Sequence, residues 1–201
     1  MVMKMSSNVS KIRCMTVTAI MAAAATILMY LQFSVPVMPS FIKMDFSELP
    51  ALITSFVLGP FWGVAVCFFK NLIHLFGTNT MGIGELSNFI LGCAFVLPAG
   101  LIYKKMKTRK GAFIGSLVGA VLMSGISVFT NYFIVYPIYE NFMPLEAIVK
   151  AYNMILPCVD SLIEALLIFN VPFTFVKGMI SVAVTFLVYK KISPILKGIK
   201  K

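Results

Sequence analysis

Residues 46–76 read FSELPALITSFVLGPFWGVAVCFFKNLIHLF, and the number of times this stretch crosses a membrane decides the fold. At its centre stands Gly59-Pro60, a pair that ends a helix, because proline has no amide hydrogen and its ring clashes with the preceding turn. At 1.5 Å per residue the part before the break is about 20 Å long, short of the roughly 30 Å hydrocarbon core. Length alone would fuse the two halves into one span. The charges argue otherwise. Thirteen of the seventeen Lys and Arg residues fall in three clusters: Lys4, Lys11 and Arg13; Lys104, Lys105, Lys107, Arg109 and Lys110; Lys190, Lys191, Lys197, Lys200 and Lys201. Cytoplasmic loops carry such an excess, so both termini and one middle loop are expected in the cytoplasm. An even number of crossings must then separate the first two clusters. Apolar segments 14–34, 46–58, 61–76 and 84–103 give four if the chain breaks at Gly59-Pro60, and three if it does not. Two more, 112–136 and 163–189, precede the last cluster. The expected fold is all-α: one domain over 1–201, an integral membrane bundle of six transmembrane helices with N- and C-termini cytoplasmic.

Composition agrees. The 201 residues are 60% hydrophobic and 12% charged, with mean hydropathy +0.96, whereas a soluble domain is about a quarter charged. The positive-inside bias accounts for the net charge of +10 without nucleic acid; the clusters can also meet anionic lipid headgroups. The four cysteines show no C-x-x-C spacing and lie in or beside apolar runs, which reads as membrane-buried thiols. The run from Cys14 to Phe33 is about 20 residues, long enough for a spanning helix rather than a cleaved leader.

Six crossings leave three outer loops: 35–45, with two prolines; 77–83; and 137–162, whose segment 144–156 is expected to form an interfacial helix. Topology then sets the depth of each polar group. Ionisable and amide groups inside a bilayer usually face the bundle interior or a cavity. Asp45 and Glu48 open the second helix, Lys70 and His74 lie toward the outer end of the third, Glu85 and Asn88 in the first turns of the fourth, Asn131 in the last turns of the fifth, and Lys177 in the outer half of the sixth. Five of six helices thus place a strong polar group at one level, as an outward-facing, partly apolar pocket would require. The inner half carries little beyond hydroxyls such as Ser116 and Ser124. Each residue also has a plainer reading. Lys70 could snorkel to the interface, His74 could pack there, Asp45 and Glu48 could cap the second helix, and Asn88 and Asn131 could hydrogen-bond each other. Lys177 has no acid at i±3 or i±4.

No G-x-x-x-x-G-K-[ST], H-E-x-x-H or G-x-S-x-G occurs, and there is one histidine. A P-loop, a His-rich metal site and most hydrolase triads are therefore out of reach. Capture of a small molecule fits better than chemistry; the competing class is a small intramembrane enzyme using Lys70, His74 and Glu85.

Phe41-Ile42-Lys43-Met44-Asp45-Phe46-Ser47-Glu48-Leu49-Pro50-Ala51-Leu52, Leu58-Gly59-Pro60, Lys70-Asn71-Leu72 and Gly84-Glu85-Leu86-Ser87-Asn88-Phe89 resemble the substrate-binding (S) components of energy-coupling factor transporters over nearly the whole chain. Asn131-Tyr132 and the stretch from Phe173 to Gly178 lean toward the riboflavin-binding members. The resemblance implies a protein of the bacterial cell membrane that captures a vitamin from outside. Its partners would be a membrane coupling protein and two cytoplasmic ATPases, which hydrolyse the ATP. It implies no cofactor, with riboflavin as the transported ligand; an S component for another vitamin is the alternative. The implied site comprises Met44, Asp45, Phe46, Thr78, Glu85, Asn88, Asn131, Tyr132, Thr174 and Lys177. The isoalloxazine would lie among apolar and aromatic side chains with its polar edge on amides and Lys177, and the ribityl hydroxyls would meet groups such as Asn88, Glu85 and Thr78. The resemblance also implies a coupling surface of small residues on the first helix, where Ala19 and Ala23 stand four apart; such spacing lets helices approach closely, within the bundle or outside it.

Overall fold

The computed structural model describes residues 7–78, 80–141 and 143–197, without the side chains of 7–10 and 197. Lys4, Lys200 and Lys201 of the basic clusters lie outside the described residues, as does the side chain of Lys197. Helices are α1 (Ser7–Tyr30), α2 (Glu48–Val57), α3 (Pro60–His74), α4 (Ile83–Lys105), α5 (Arg109–Thr130), α6 (Tyr136–Tyr139), α7 (Leu145–Asn153), α8 (Leu162–Ala165) and α9 (Val171–Lys197). A π turn, Asn131–Val135, joins α5 to α6, and a second, Leu166–Asn170, joins α8 to α9. Among the described residues, five helical runs are long and apolar enough to cross a membrane: Lys11–Tyr30, Pro60–Gly77, Ile83–Lys105, Arg109–Tyr139 and Leu162–Leu196. The short apolar helix α2 stands apart from them.

The chain does break where the sequence placed the break. Gly59 has φ 117°, a conformation side chains rarely adopt, and Pro60 occupies the first turn of α3, where a missing amide hydrogen costs nothing. The two helices fold back on each other. A methyl at Gly63 would come within 2.7 Å of Ser55 Cβ, and Lys70 near the far end of α3 reaches Glu48 at the start of α2. α4 returns alongside, where Ser55 Oγ donates to the Val96 carbonyl at 2.9 Å. α5 runs back along α4, with Gly115 against Ala99. α9 runs back along α5, with Gly178 against Ala120 and Phe113 on Phe186 at 6.4 Å. The interior of this bundle is apolar: Ala25, Leu52, Ile53, Val66, Phe95, Val96 and Met123 are buried together.

These directions give the molecule two ends. At one, Arg13 Nη2 donates to the Leu196 carbonyl at 2.6 Å, and Lys107, Arg109 and Lys190 gather around one cleft. This is the basic end. At the other, Tyr30 stacks on His74 at 4.6 Å, beside the chain that precedes α2 and the turn that precedes α4. This is the loop end.

Two expectations are corrected and a third gains detail. The fold is not wholly helical: Phe33–Ser34 (β1) pairs antiparallel with Lys43–Met44 (β2), because the proline-rich segment between them turns the chain back on itself. The helix expected within 144–156 forms as α7, and one face of it packs onto the bundle: Ile148 and Tyr152 are buried with Tyr136, Val159, Ala165 and Leu166 in a second, smaller core. Cys158 is no membrane-buried thiol; it lies exposed between α7 and α8, whereas Cys67 is buried and Cys14 and Cys93 are half-buried.

Candidate functional site

At the loop end a cavity of about 260 Å³ opens between α1, α2, α3, α4, α9, the chain around β2 and both π turns. Met29, Leu91, Met123, Val135 and Phe173 supply apolar wall; Asp45, Glu48, His74, Glu85, Asn88, Asn131, Asn170, Thr174 and Lys177 supply polar atoms.

A chain of charged hydrogen bonds underlies one side. Lys177 Nζ donates to Asp45 Oδ2 at 2.6 Å. The other carboxylate oxygen of Asp45 accepts from the Ser47 amide at 2.8 Å and from its hydroxyl. Lys70 Nζ donates to Ser47 Oγ and to Glu48 Oε1, both at 2.6 Å. Local geometry makes this possible: the turn into α2 places Asp45, Ser47 and Glu48 on one side, and α3 lays Lys70 across them. Burial alone would raise the Asp45 carboxyl, but Lys177 and then Lys70 outweigh it and hold the group at about 2. Two lysines and two carboxylates thus neutralise one another in a buried site, where an unpaired charge would be costly.

A second polar group forms across the cavity. His74 Nδ1 and Glu85 Oε1 are 2.7 Å apart. The other Glu85 oxygen accepts from the hydroxyls of Thr78 at 2.9 Å and Thr80 at 3.0 Å. Asn88 Oδ1 and His74 Nε2 are buried without a hydrogen-bond partner. Both residues line the cavity, so a ligand with donors and acceptors on its edge would satisfy atoms the fold leaves open. On the third side, Tyr136, Tyr152 and Asn170 are linked: the two hydroxyls are 2.8 Å apart, and Tyr152 donates to Asn170 Oδ1 at 2.8 Å. Burial, then neighbouring Tyr136, push the Tyr152 hydroxyl well above its ordinary value, so it stays a donor.

Of the residues named from sequence, Asp45, Glu85, Asn88, Asn131, Thr174 and Lys177 converge on the cavity. Four do not line it. Met44 is buried beside it, Phe46 packs on Phe33 at 6.0 Å, Thr78 spends its hydroxyl on Glu85, and Tyr132 is 41% exposed with its ring on Phe133. Lys70 does not snorkel: it is fully buried. His74 is not an interfacial packing residue, since it turns inward to Glu85. Asp45 and Glu48 do more than cap α2, because each pairs with a lysine from another helix. No hydrogen bond joins Asn88 to Asn131 among the described residues. Sequence reasoning missed Tyr136, Tyr139 and Asn170. Ala19 and Ala23 are exposed on α1, while Ala22 and Ala25 face the core, so the first pair is not spent on packing within the bundle.

A sequence profile of the family described as "ECF transporter, substrate-specific component" matches residues 13–189. The chain belongs to this family. Among relatives of this substrate-specific component is the Bacillus subtilis protein named riboflavin transporter FmnP, 29% identical, the alignment covering 92% of this chain and 94% of that one. The riboflavin transporter RibU of Staphylococcus aureus is 28% identical over 96% of each chain. RibU of Streptococcus thermophilus is 30% identical over 89% of this chain and 82% of that one. A solved structure, described as the S component of a bacterial ECF transporter, superposes with a TM-score of 0.74 and 25% identity, covering 93% of this chain and 99% of that one. The S component therefore shares its overall fold with that solved structure.

Proposed function

We propose that this S component captures riboflavin from outside the bacterial cell membrane in the loop-end cavity, and passes it inward with a membrane coupling protein and two cytoplasmic ATPases. The observation that carries the reading is the cavity itself: an apolar wall edged by Lys177, Asn131 and Asn170, with Asn88 Oδ1 and His74 Nε2 open for partners. A neutral, flat, heteroatom-edged ring suits such a site, because its polar edge can satisfy the open atoms while its faces meet Leu91, Met123 and Phe173. The pairing of every cavity carboxylate with Lys, His or hydroxyl groups favours an uncharged ligand over a cation. Thr80 lines the cavity and Thr78 does not; although the Thr80 hydroxyl also donates to Glu85, its oxygen can still accept, so Thr80 replaces Thr78 as the hydroxyl expected to meet the ribityl chain. Riboflavin is cargo, no cofactor is required, and ATP is hydrolysed by the partners.

The orientation follows from the charges. The basic end faces the cytoplasm, with both termini inside, and α2 counts as the sixth crossing although it is short. Ala19 and Ala23, exposed on α1, form the face against which the coupling helix packs.

Purification and an absorption spectrum test the ligand. The expected result is a flavin spectrum that is lost on dialysis after partial unfolding and regained with added riboflavin. Failure to bind riboflavin by titration would overturn the reading, and binding of another vitamin would replace the ligand within it. Thiol labelling tests the orientation. In intact cells Cys158 should react with an impermeant reagent, whereas Thr108→Cys in a Cys158→Ser background should react only after lysis. The reverse pattern would turn the map over.

A further inference from the structure

The basic end holds a larger cleft, about 520 Å³, that capture of a vitamin at the loop end does not use. Three cations, Lys107, Arg109 and Lys190, line it, and no acidic side chain does. The first turn of α5, capped by Thr108, opens into it; a helix start carries partial positive charge and favours anions. Deeper in, the hydroxyls of Tyr103 and Tyr189 lie 3.4 Å apart. Thr185 lines the same cleft, is 1% exposed, and has a buried Oγ1 with no hydrogen-bond partner. One wall is apolar, from Phe56, Phe186 and Leu187, and Leu187 is 78% exposed on α9, a helix long and apolar enough to cross a membrane. Cations and spare hydroxyl capacity within, and a greasy lip toward the bilayer, match a molecule with an anionic head and acyl chains.

We propose that this cleft is a binding site for one anionic phospholipid, the phosphate held among Lys107, Arg109, Lys190 and the start of α5, and the chains lying along the exposed face of α9. A soluble anion would use the cations but leave the apolar lip bare. A zwitterionic lipid would bring its own cation into a cleft that has no acid to receive it.

Native mass spectrometry of the detergent-solubilised full chain, titrated with dioleoyl phosphatidylglycerol or dioleoyl phosphatidylcholine, tests this. One phosphatidylglycerol should be retained at concentrations where phosphatidylcholine is not. The triple variant Lys107→Gln/Arg109→Gln/Lys190→Gln should lose occupancy at least about tenfold, since each basic residue near an anionic headgroup contributes on the order of a factor of five. Lys105→Gln/Lys110→Gln/Lys191→Gln removes the same charge from the same end but off the cleft, and should retain the lipid. Unfolding temperatures of both variants show whether either has lost its fold, and a folded cleft variant gives the result. Equal retention of the two lipids, equal loss in both triple variants, or displacement of the lipid by soluble glycerol 3-phosphate would overturn the proposal.

Discussion

The two ends of the bundle treat charge in opposite ways. At the basic end, lysines and arginines stand exposed and gather without acids around one cleft. At the loop end, Lys70, Asp45 and Glu48 are buried, Lys177 is partly buried, and the four pair at 2.6 Å. The first arrangement reports on orientation and leaves its cations free to meet an anionic headgroup. The second marks a candidate site, because burying charge is costly unless geometry and partners are good. The difference teaches that a charge must be judged by its depth and its partners, not by number alone: unpaired cations at the surface are open to an anion, while paired ones inside are already neutralised by the fold.

Removing one member of the buried set should therefore produce the largest effect. Lys70→Met leaves Glu48 buried without its cation and should destabilise the protein by about 3–5 kcal/mol, read from chemical unfolding in detergent. Adding Glu48→Gln should recover part of that loss. A Lys70→Met protein as stable as the parent would erase the contrast between the ends. Lys107→Gln, at the basic end, should change stability by no more than about 0.5 kcal/mol.

Lys177→Ala should come next. A hydrogen bond from a charged group is worth about 1.5–3 kcal/mol, so riboflavin affinity should fall roughly tenfold to a hundredfold in titration, with the bundle still folded. Unchanged affinity would confine Lys177 to its pairing with Asp45.

The contribution of Asp45 should be insensitive to pH over the ordinary range. Its folded value, about 2, lies below that of a free carboxyl. The stability from its pairing is thus fully present above the unfolded value of about 4 and is lost as pH falls through about 2. The stability gap between parent and Asp45→Asn should stay level from pH 8 to about 5 and narrow only below. A gap that changes between pH 6 and 8 would point to another group.

The smallest effect on binding should come from α1. Ala19→Leu with Ala23→Leu should leave riboflavin affinity unchanged, because both side chains are exposed and belong to the face away from the core. The same protein should fail to co-purify with its coupling partner. Loss of binding together with loss of assembly would show the pair to be structural after all.

Much of this was legible in the order of residues. The break at Gly59-Pro60 followed from proline chemistry and crossing parity, and Lys177 stood out as a charge inside an apolar run. Its partner was not legible, because Asp45 lies 132 positions away and the pairing exists only once α9 packs beside the entry to α2. Lys70 and His74 stand four positions apart and so share one face of α3, but whether that face looks inward or toward lipid is a tertiary matter. Tyr132 was carried along by its neighbour Asn131, yet one helical position turns a side chain by about 100°, and the ring points away. Asn170 and Tyr136 were missed for a related reason. Each stands at or just beyond a π turn, where the helical period that sequence reading relies on no longer holds.

Those two π turns give the cavity an origin that can be counted in residues. A π turn is a helical turn with one residue to spare, so each marks a place where the chain carries a single extra position beside the site. Deleting one residue within 131–135 would let α5 run on as an ordinary helix and would rotate everything after it by about 100°. Tyr136 and Tyr139, which line the cavity now, would swing off it, while the spanning length would shrink by only about 1.5 Å. A change too small for the membrane to notice would redraw one wall of the site.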